Sequence, residues 1–164
     1  MLKDKIEAEF KKALKEKKEI DLSVLRLIKA DIINQEKEKR YSLSKEDSGL
    51  SDKKLDEKSS LTDEELMDII LSKVKRTKES IASFQQGKRD DLVKKEEQEL
   101  QVLKKYMPEQ ISEQEIKKMG AKAIQETDAK EIKDMGKVLS QLMPKLKGKA
   151  DGALVSKIIK DLLS

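Results

Sequence analysis

The residues best suited to chemistry lie in a lysine- and glycine-rich stretch near the C-terminus, KLKGKADG at residues 145–152. Three lysines alternate along it, and its two glycines let a ligand approach the backbone closely. Such a stretch before a helix predicts a phosphate-binding turn, because cationic side chains and helix-start amides attract anions. It lacks the residue order of a nucleotide-binding P-loop. The alternative is structural: Pro144 and Gly148 turn the chain, Asp151 caps a helix, and the lysines stay solvated.

The charge distribution points to the same end of the chain. The net charge is +4, yet residues 1–136 hold 31 basic and 31 acidic side chains, so the whole excess lies in the last 28 residues. An anionic partner would therefore meet that end. The candidate RNA-binding residues are Lys137, Lys145, Lys147, Gly148, Lys149, Gly152 and Lys157.

The absence of histidine and cysteine excludes several classes of active site. Without an imidazole or a thiolate there is no Ser-His-Asp or Cys-His nucleophile and no common zinc, haem or iron–sulfur ligand set. Acidic residues are so numerous that their spacing selects no acid–base pair. We therefore assign no catalytic residue, cofactor or metal, and the sequence leaves open whether the chain is an enzyme.

The chain also lacks features of two kinds of binding protein. Its four aromatic residues are scattered, so an RNA partner would be recognised by shape and phosphates and not by base stacking. No apolar run has the length of a membrane span, and no signal peptide is visible. We expect a cytoplasmic protein that does not contact membranes.

The composition predicts an all-α, multihelical protein. Charged residues make up 43% of its 164 residues and aromatic residues 2%, and valine is scarce, which favours helices over a sheet. Residues 22–33 are apolar around most of a helix and should form the most buried segment. Capping-box patterns at Thr62 and Ser112 predict two helix starts. Residues 41–60 lose the apolar pattern, which predicts a mobile connection with at most a short helical turn.

Other residues predict where helices begin and end. Asp21 and Asp151 are candidate N-caps. Gly87 is expected to be left-handed after a long helix, and the short turn there predicts an antiparallel hairpin. Pro108 and Pro144 should each halt a helix.

The change of helix length at Pro108 predicts two domains. We place an N-terminal domain of long helices, including the hairpin, at residues 1–108, and a small C-terminal three-helix bundle at residues 109–164.

Three polar or small residues interrupt apolar helices. At Gly136 we expect close packing against a neighbouring element; the functional alternative is a bare backbone beside Lys137 that admits a phosphate or ribose. Arg26 and Lys29 are expected to lie on an exposed side of their helix or to pair with carboxylates, and the alternative is a basic stripe for RNA.

Three stretches of the chain resemble the YqeY family of small helical proteins, whose domain also forms the tail of the GatB subunit of glutamine-dependent tRNA amidotransferases. They are residues 106–112 (YMPEQIS), 134–138 (DMGKV) and 143–152 (MPKLKGKADG). The third is the most specific, since ten residues in that order rarely match by chance. Looser matches near residues 24–30 and 89–92 extend the resemblance over nearly the whole chain.

The resemblance implies an all-helical fold and a link to amide formation on misacylated tRNA, with glutamine as nitrogen donor. In the amidotransferase the tail domain holds tRNA while other domains carry the reactions. We therefore predict an accessory module that contacts tRNA or a tRNA-handling complex and is not a self-contained catalyst. The alternative is a protein–protein adaptor without nucleic-acid binding, which docks its partner through the hairpin and the face around Lys117, Lys118 and Lys122.

Overall fold

The computed structural model describes all 164 residues and contains helices but no strand, so the all-α prediction is confirmed. None of the helices has both the length and the apolar character needed to cross a membrane. Eight α-helices and one 3-10 turn follow in this order: α1 Leu2–Glu16, α2 Glu19–Glu46, α3 Asp52–Ser59, α4 Asp63–Gln86, α5 Asp90–Lys104, α6 Glu113–Thr127, the 3-10 turn Ile132–Asp134, α7 Met135–Leu146 and α8 Gly152–Leu162.

The chain divides into two compact units, Met1–Tyr106 and Met107–Ser164. In the N-terminal unit, α4 and α5 form a helical hairpin, and α2 packs against α1, α3, α4 and α5. Helix α2 lies at the centre of this unit because it contacts each of the other four helices, and the core takes side chains from α1, α2, α4 and α5. Its most fully buried members include Ile6, Leu25, Ile28, Leu66, Ile70 and Leu103.

The C-terminal unit has its own apolar core, formed by α6, α7 and α8. Gly120 lets α6 and α8 approach closely, because a Cβ there would lie 2.6 Å from Cδ1 of Ile159. We predicted this role for Gly136, and that prediction is wrong: Gly136 is exposed, with nothing within 4 Å of the place a Cβ would occupy. The buried core residues are Ile116, Ala123, Ala129, Val138, Leu142, Leu146, Val155, Ile158 and Ile159.

The predicted helix caps at Thr62, Ser112 and Asp151 are confirmed. Thr62 Oγ1 accepts the Glu65 amide at 3.2 Å, and the Glu65 carboxylate accepts the Thr62 amide at 2.7 Å. Ser112 and Glu115 form the same reciprocal pair. These side chains satisfy amides that have no partner within the first turn of a helix.

Three predicted helix boundaries, two ends and one start, are corrected. Gly87 has φ −77 and the left-handed residue is Lys88, at φ 53, because α4 continues to Gln86 and places the reversal one residue later. Pro144 lies inside the last turn of α7, which stays helical since Leu146 is buried in the core. Asp21 lies in the first turn of α2, whose N-cap is Lys18.

Residues 41–60 are mostly helical, which corrects the prediction of a mobile connection. Helix α2 continues to Glu46, and α3 follows after a break of five residues. The guanidinium of Arg40 joins the two helices by donating to Asp52 at 2.9 Å and to Asp56 at 2.8 Å. Helix α3 buries Leu55 and little else that is apolar, so its sequence shows almost no apolar period.

Helix α2 is less enclosed than its composition predicts. Leu27 is 52% exposed and Ile33 is 48% exposed, because the neighbouring helices cover only one side of α2. Lys29 takes the predicted structural role: its ammonium lies 2.6 Å from the Glu7 carboxylate and 4.5 Å from the centre of the Phe10 ring. Arg26 is exposed.

Candidate functional site

The turn between α7 and α8 is a defined backbone structure built around Gly148. This glycine has φ 75, a value that side chains with a Cβ rarely adopt, and it is buried. The amides of Lys149 and Ala150 both donate to the carbonyl of Leu146, at 2.9 and 3.2 Å. Gly148 is therefore needed for the shape of the turn.

The segment before α6 holds this turn in place. The side-chain amide of Gln110 donates to the Gly148 carbonyl at 2.5 Å, and the Ile111 amide donates to the Lys149 carbonyl at 3.0 Å. Residues 106–112 and 143–152, two of the stretches that carry the family resemblance, thus contact each other. The Gly148 and Lys149 carbonyls are therefore both engaged within the protein, which fixes the turn against the segment before α6.

The three alternating lysines of the turn differ in their surroundings. Lys145, in the last turn of α7, and Lys149 are exposed, and neither forms an ion pair. Lys147 is partly buried and interacts with other groups of the protein. Two of the three ammonium groups are therefore available to an anion.

The start of α8 is less open to a phosphate than the sequence suggests. The Asp151 carboxylate accepts the Ala153 amide at 2.9 Å, so one negative charge already occupies this helix start. Gly152 has a packing role, since a Cβ there would lie 3.2 Å from Cε of Met143. An RNA phosphate would be bound by lysine side chains and not by the amides of this helix.

Two further lysines lie on one face of α8. Lys157 and Lys160 are three residues apart, both are exposed, and neither forms an ion pair. The predicted RNA-binding residues include Lys157 but not Lys160, although the i, i+3 spacing of the two lysines on an amphipathic helix is the signal that joins them.

Lys137 lies apart from the other candidates. It is eight residues from Lys145 along α7, a separation of about 12 Å along the helix axis. Its ammonium is 3.3 Å from the Asp134 carboxylate. The Lys130 amide and then the Lys137 ammonium hold the pKa of Asp134 below its usual value, because both stabilise the ionised carboxylate. The positive charge of Lys137 is therefore matched locally.

Four lysines of the last 28 residues are thus exposed and form no ion pair. We call them the terminal lysines: Lys145, Lys149, Lys157 and Lys160. Flexible lysine side chains of this kind bind phosphates as point charges, with strength that depends on salt.

Comparisons with known proteins agree with the resemblance noted in the sequence. The family model described as Yqey-like protein matches residues 47–163. A relative from Pyrenophora tritici-repentis (strain Pt-1C-BFP), named Altered inheritance of mitochondria protein 41, mitochondrial, is 30% identical over 162 residues, which cover 97% of this chain and 79% of the relative. The match extends through α3 to α8 and includes the turn around Gly148. The chain therefore belongs to the YqeY-like protein family.

Proposed function

We propose that this protein binds tRNA, or a complex that handles tRNA, through the terminal lysines. Two observations together carry the proposal: the four ammonium groups are exposed without a carboxylate partner, and they lie in the last 28 residues, which hold the whole positive excess of the chain. Helix α6 also carries unpaired lysines, but its three lysines are balanced by three acidic residues. Unpaired cations attract a polyanion at the lowest cost, since no existing ion pair has to be broken.

The choice of tRNA rests on the resemblance to the GatB tail. The stretches that carry this resemblance, residues 106–112 and 143–152, form the turn that displays Lys145 and Lys149. Tyr106 is buried and the chain has no cluster of aromatic side chains for stacking. Contacts to phosphates on a folded RNA surface therefore suit this site better than the reading of unpaired bases.

In this proposal the protein is an accessory module. Its family association is with glutamine-dependent amide formation on tRNA, and the reaction steps would take place on other polypeptides. We propose that it acts in the cytoplasm. Because the P. tritici-repentis relative is named as a mitochondrial protein, fractionation of cells that express the tagged full chain is the direct check of its compartment.

The test is a titration of bulk tRNA with the full chain at several salt concentrations. Changing Lys145, Lys149 and Lys157 together to Glu should weaken binding by about tenfold or more and reduce the log–log salt slope by about three, one for each lost phosphate contact. The matched control changes Lys117, Lys118 and Lys122 to Glu, which alters the net charge equally within the same unit. Equal losses in both variants, or no binding by the unchanged chain, would contradict the proposal.

A protein–protein adaptor is the second candidate, and one observation favours it. An open groove of about 860 Å³ runs between α4 and α5 of the hairpin, with Ile81 and Leu100 among its lining residues. Capture of partners from lysate with and without RNase separates the two functions. A partner that is retained after RNase favours the adaptor, and one that is lost favours tRNA binding.

A further inference from the structure

Helix α2 carries a solvent-facing stripe that contains large apolar side chains. Leu27, Ile33 and Tyr41 are 52%, 48% and 61% exposed. At about 100° per residue, the exposed side chains of this stripe fall within an arc of about 120° along five turns of the helix. We call them the α2 stripe: Arg26, Leu27, Ala30, Ile33, Lys37, Tyr41 and Lys45.

The charges of the α2 stripe are all positive. Arg26, Lys37 and Lys45 form no ion pair. The Lys45 ammonium lies 4.5 Å from the centre of the Tyr41 ring, so it adds its charge to the apolar surface. Of the three acidic residues between positions 26 and 45, Asp31 and Glu36 lie farther outside the arc, and Glu38 lies about 20° beyond the edge that holds Leu27 and Lys45. The stripe therefore carries cations along its length, with Tyr41 near its midline and Leu27 and Ile33 near its two edges.

A concavity lies on each side of the α2 stripe. One of about 160 Å³ is lined by Leu27 together with Val24 and Leu103. The other, of about 290 Å³, is lined by Ile33, Lys37 and Ser59, among others. Side chains of a second helix laid along the stripe would find recesses on both flanks, which is the geometry of helix-to-helix packing.

We propose that the α2 stripe binds an acidic amphipathic helix of another protein. Apolar side chains of that helix would cover Leu27, Ile33 and Tyr41, and its carboxylates would pair with the three unpaired cations. This is a protein-binding function of the N-terminal unit, separate from the proposed tRNA binding. All of α2 also precedes residues 47–163, the part matched by the family model.

The observations favour this partner over three others. A second copy of the chain, docked by two-fold symmetry, would place the cations of one stripe against those of the other. A lipid bilayer has no projecting side chains to fill the two concavities. RNA would have to cover the apolar side chains of Leu27 and Ile33 without a free ring to stack on, because Lys45 already lies over Tyr41, the one aromatic residue of the stripe.

The test is site-specific photo-crosslinking with the full chain in cells that express it naturally. Benzoylphenylalanine replaces the exposed Ala30 on the stripe, and the control places it at Ala82, an exposed alanine on α4. We expect a crosslink specific to position 30, and mass spectrometry should identify the captured segment as an acidic amphipathic helix. Changing Leu27 and Ile33 to Ser should reduce this product by about tenfold, because the two largest aliphatic contacts of the stripe are lost.

Charge reversal gives the second arm. Changing Arg26, Lys37 and Lys45 to Glu should abolish the crosslink, whereas Glu at Lys94, Lys95 and Lys104 on α5 should leave it unchanged. Circular dichroism confirms that each variant is folded. The proposal is overturned if position 30 crosslinks to lipid, nucleic acid, a basic segment or a second copy of the chain, or no more than position 82 does. Because none of these changes touches the terminal lysines, tRNA binding can succeed or fail independently.

Discussion

Gly136 and Gly148 lie near the two ends of α7, and the first is exposed whereas the second is buried. Gly148 is buried with φ 75, and its carbonyl accepts a hydrogen bond from Gln110. Gly136 lies in the first turn of α7 with open space around it. One glycine is thus required by the backbone, whereas nothing in the protein requires the other.

The first prediction compares alanine substitutions at these two positions. Gly148→Ala should lower the free energy of unfolding by about 1–2 kcal/mol, because a Cβ is strained in the left-handed region. Gly136→Ala should raise it by about 0.5–1 kcal/mol, because alanine loses less backbone entropy in a helix. Urea unfolding followed by circular dichroism measures both. A loss of stability in Gly136→Ala would contradict the open space found around this residue.

At the scale of elements, the start of α4 joins a helix cap to an ion pair. The Glu65 carboxylate accepts the Thr62 amide and lies 2.8 Å from the Lys39 ammonium of α2. The hydrogen bond from Lys39, followed by that from the Thr62 amide, holds the pKa of Glu65 below its usual value. A carboxyl group whose pKa falls on folding stabilises the fold when it is ionised.

The second prediction concerns the pH dependence of this contribution. Ionised Glu65 stabilises the fold above its unfolded pKa, and the effect disappears as the pH falls through the lower, folded pKa. Glu65→Gln should therefore lower the free energy of unfolding at neutral pH and have little effect in strong acid. Urea titrations across this range measure it. Glu97→Gln, at an exposed position on α5, is the control, and an equal effect of Glu65→Gln at every pH would refute the assignment.

The helix starts at Thr62 and Ser112 were predictable from sequence because their signals are local. The Thr62 and Ser112 capping boxes each need only four consecutive residues. Where α3 packs was not predictable from its own residues. Its contacts with α2 include hydrogen bonds from Arg40 to Asp52 and Asp56, which join two separate helices. The exposed side of α2 was missed for a similar reason: its apolar residues encircle the helix, and only the packing of its neighbours decides which of them are covered.

The candidate site was predictable only in outline. The excess of lysines indicated the segment that carries the terminal lysines. The cap at Asp151 was predictable because it is local: the Asp151 carboxylate accepts an amide only two residues away. The residue order did not show that Gly148 is held by Gln110, because that contact joins segments almost forty residues apart in the chain. It also did not show that Lys147 is engaged while Lys145 is not.

At the scale of the whole molecule, each compact unit has its own apolar core. Leu142 belongs to the C-terminal core and is 2% exposed, and Leu66 belongs to the N-terminal core and is 1% exposed. Removing either side chain leaves a cavity that the surrounding helices fill only in part. A cost of about 2–5 kcal/mol is usual for such a change.

The third prediction is that these two substitutions act on different parts of the chain. Leu142→Ala should speed hydrogen exchange in α6, α7 and α8 and leave α4 and α5 protected, whereas Leu66→Ala should do the reverse. Exchange measured peptide by peptide with mass spectrometry separates the units. If either substitution loosened both units to the same degree, the chain would behave as one cooperative domain.

The turn between α4 and α5 places its glycine one residue before the left-handed position. Lys88 adopts a left-handed backbone that glycine would take without strain, while the glycine beside it, Gly87, adopts an ordinary conformation. The left-handed position is thus occupied by the residue that is strained there. Exchanging Gly87 and Lys88 would keep the composition of the protein and remove this backbone strain. A laboratory selection for heat resistance should therefore find the exchange early.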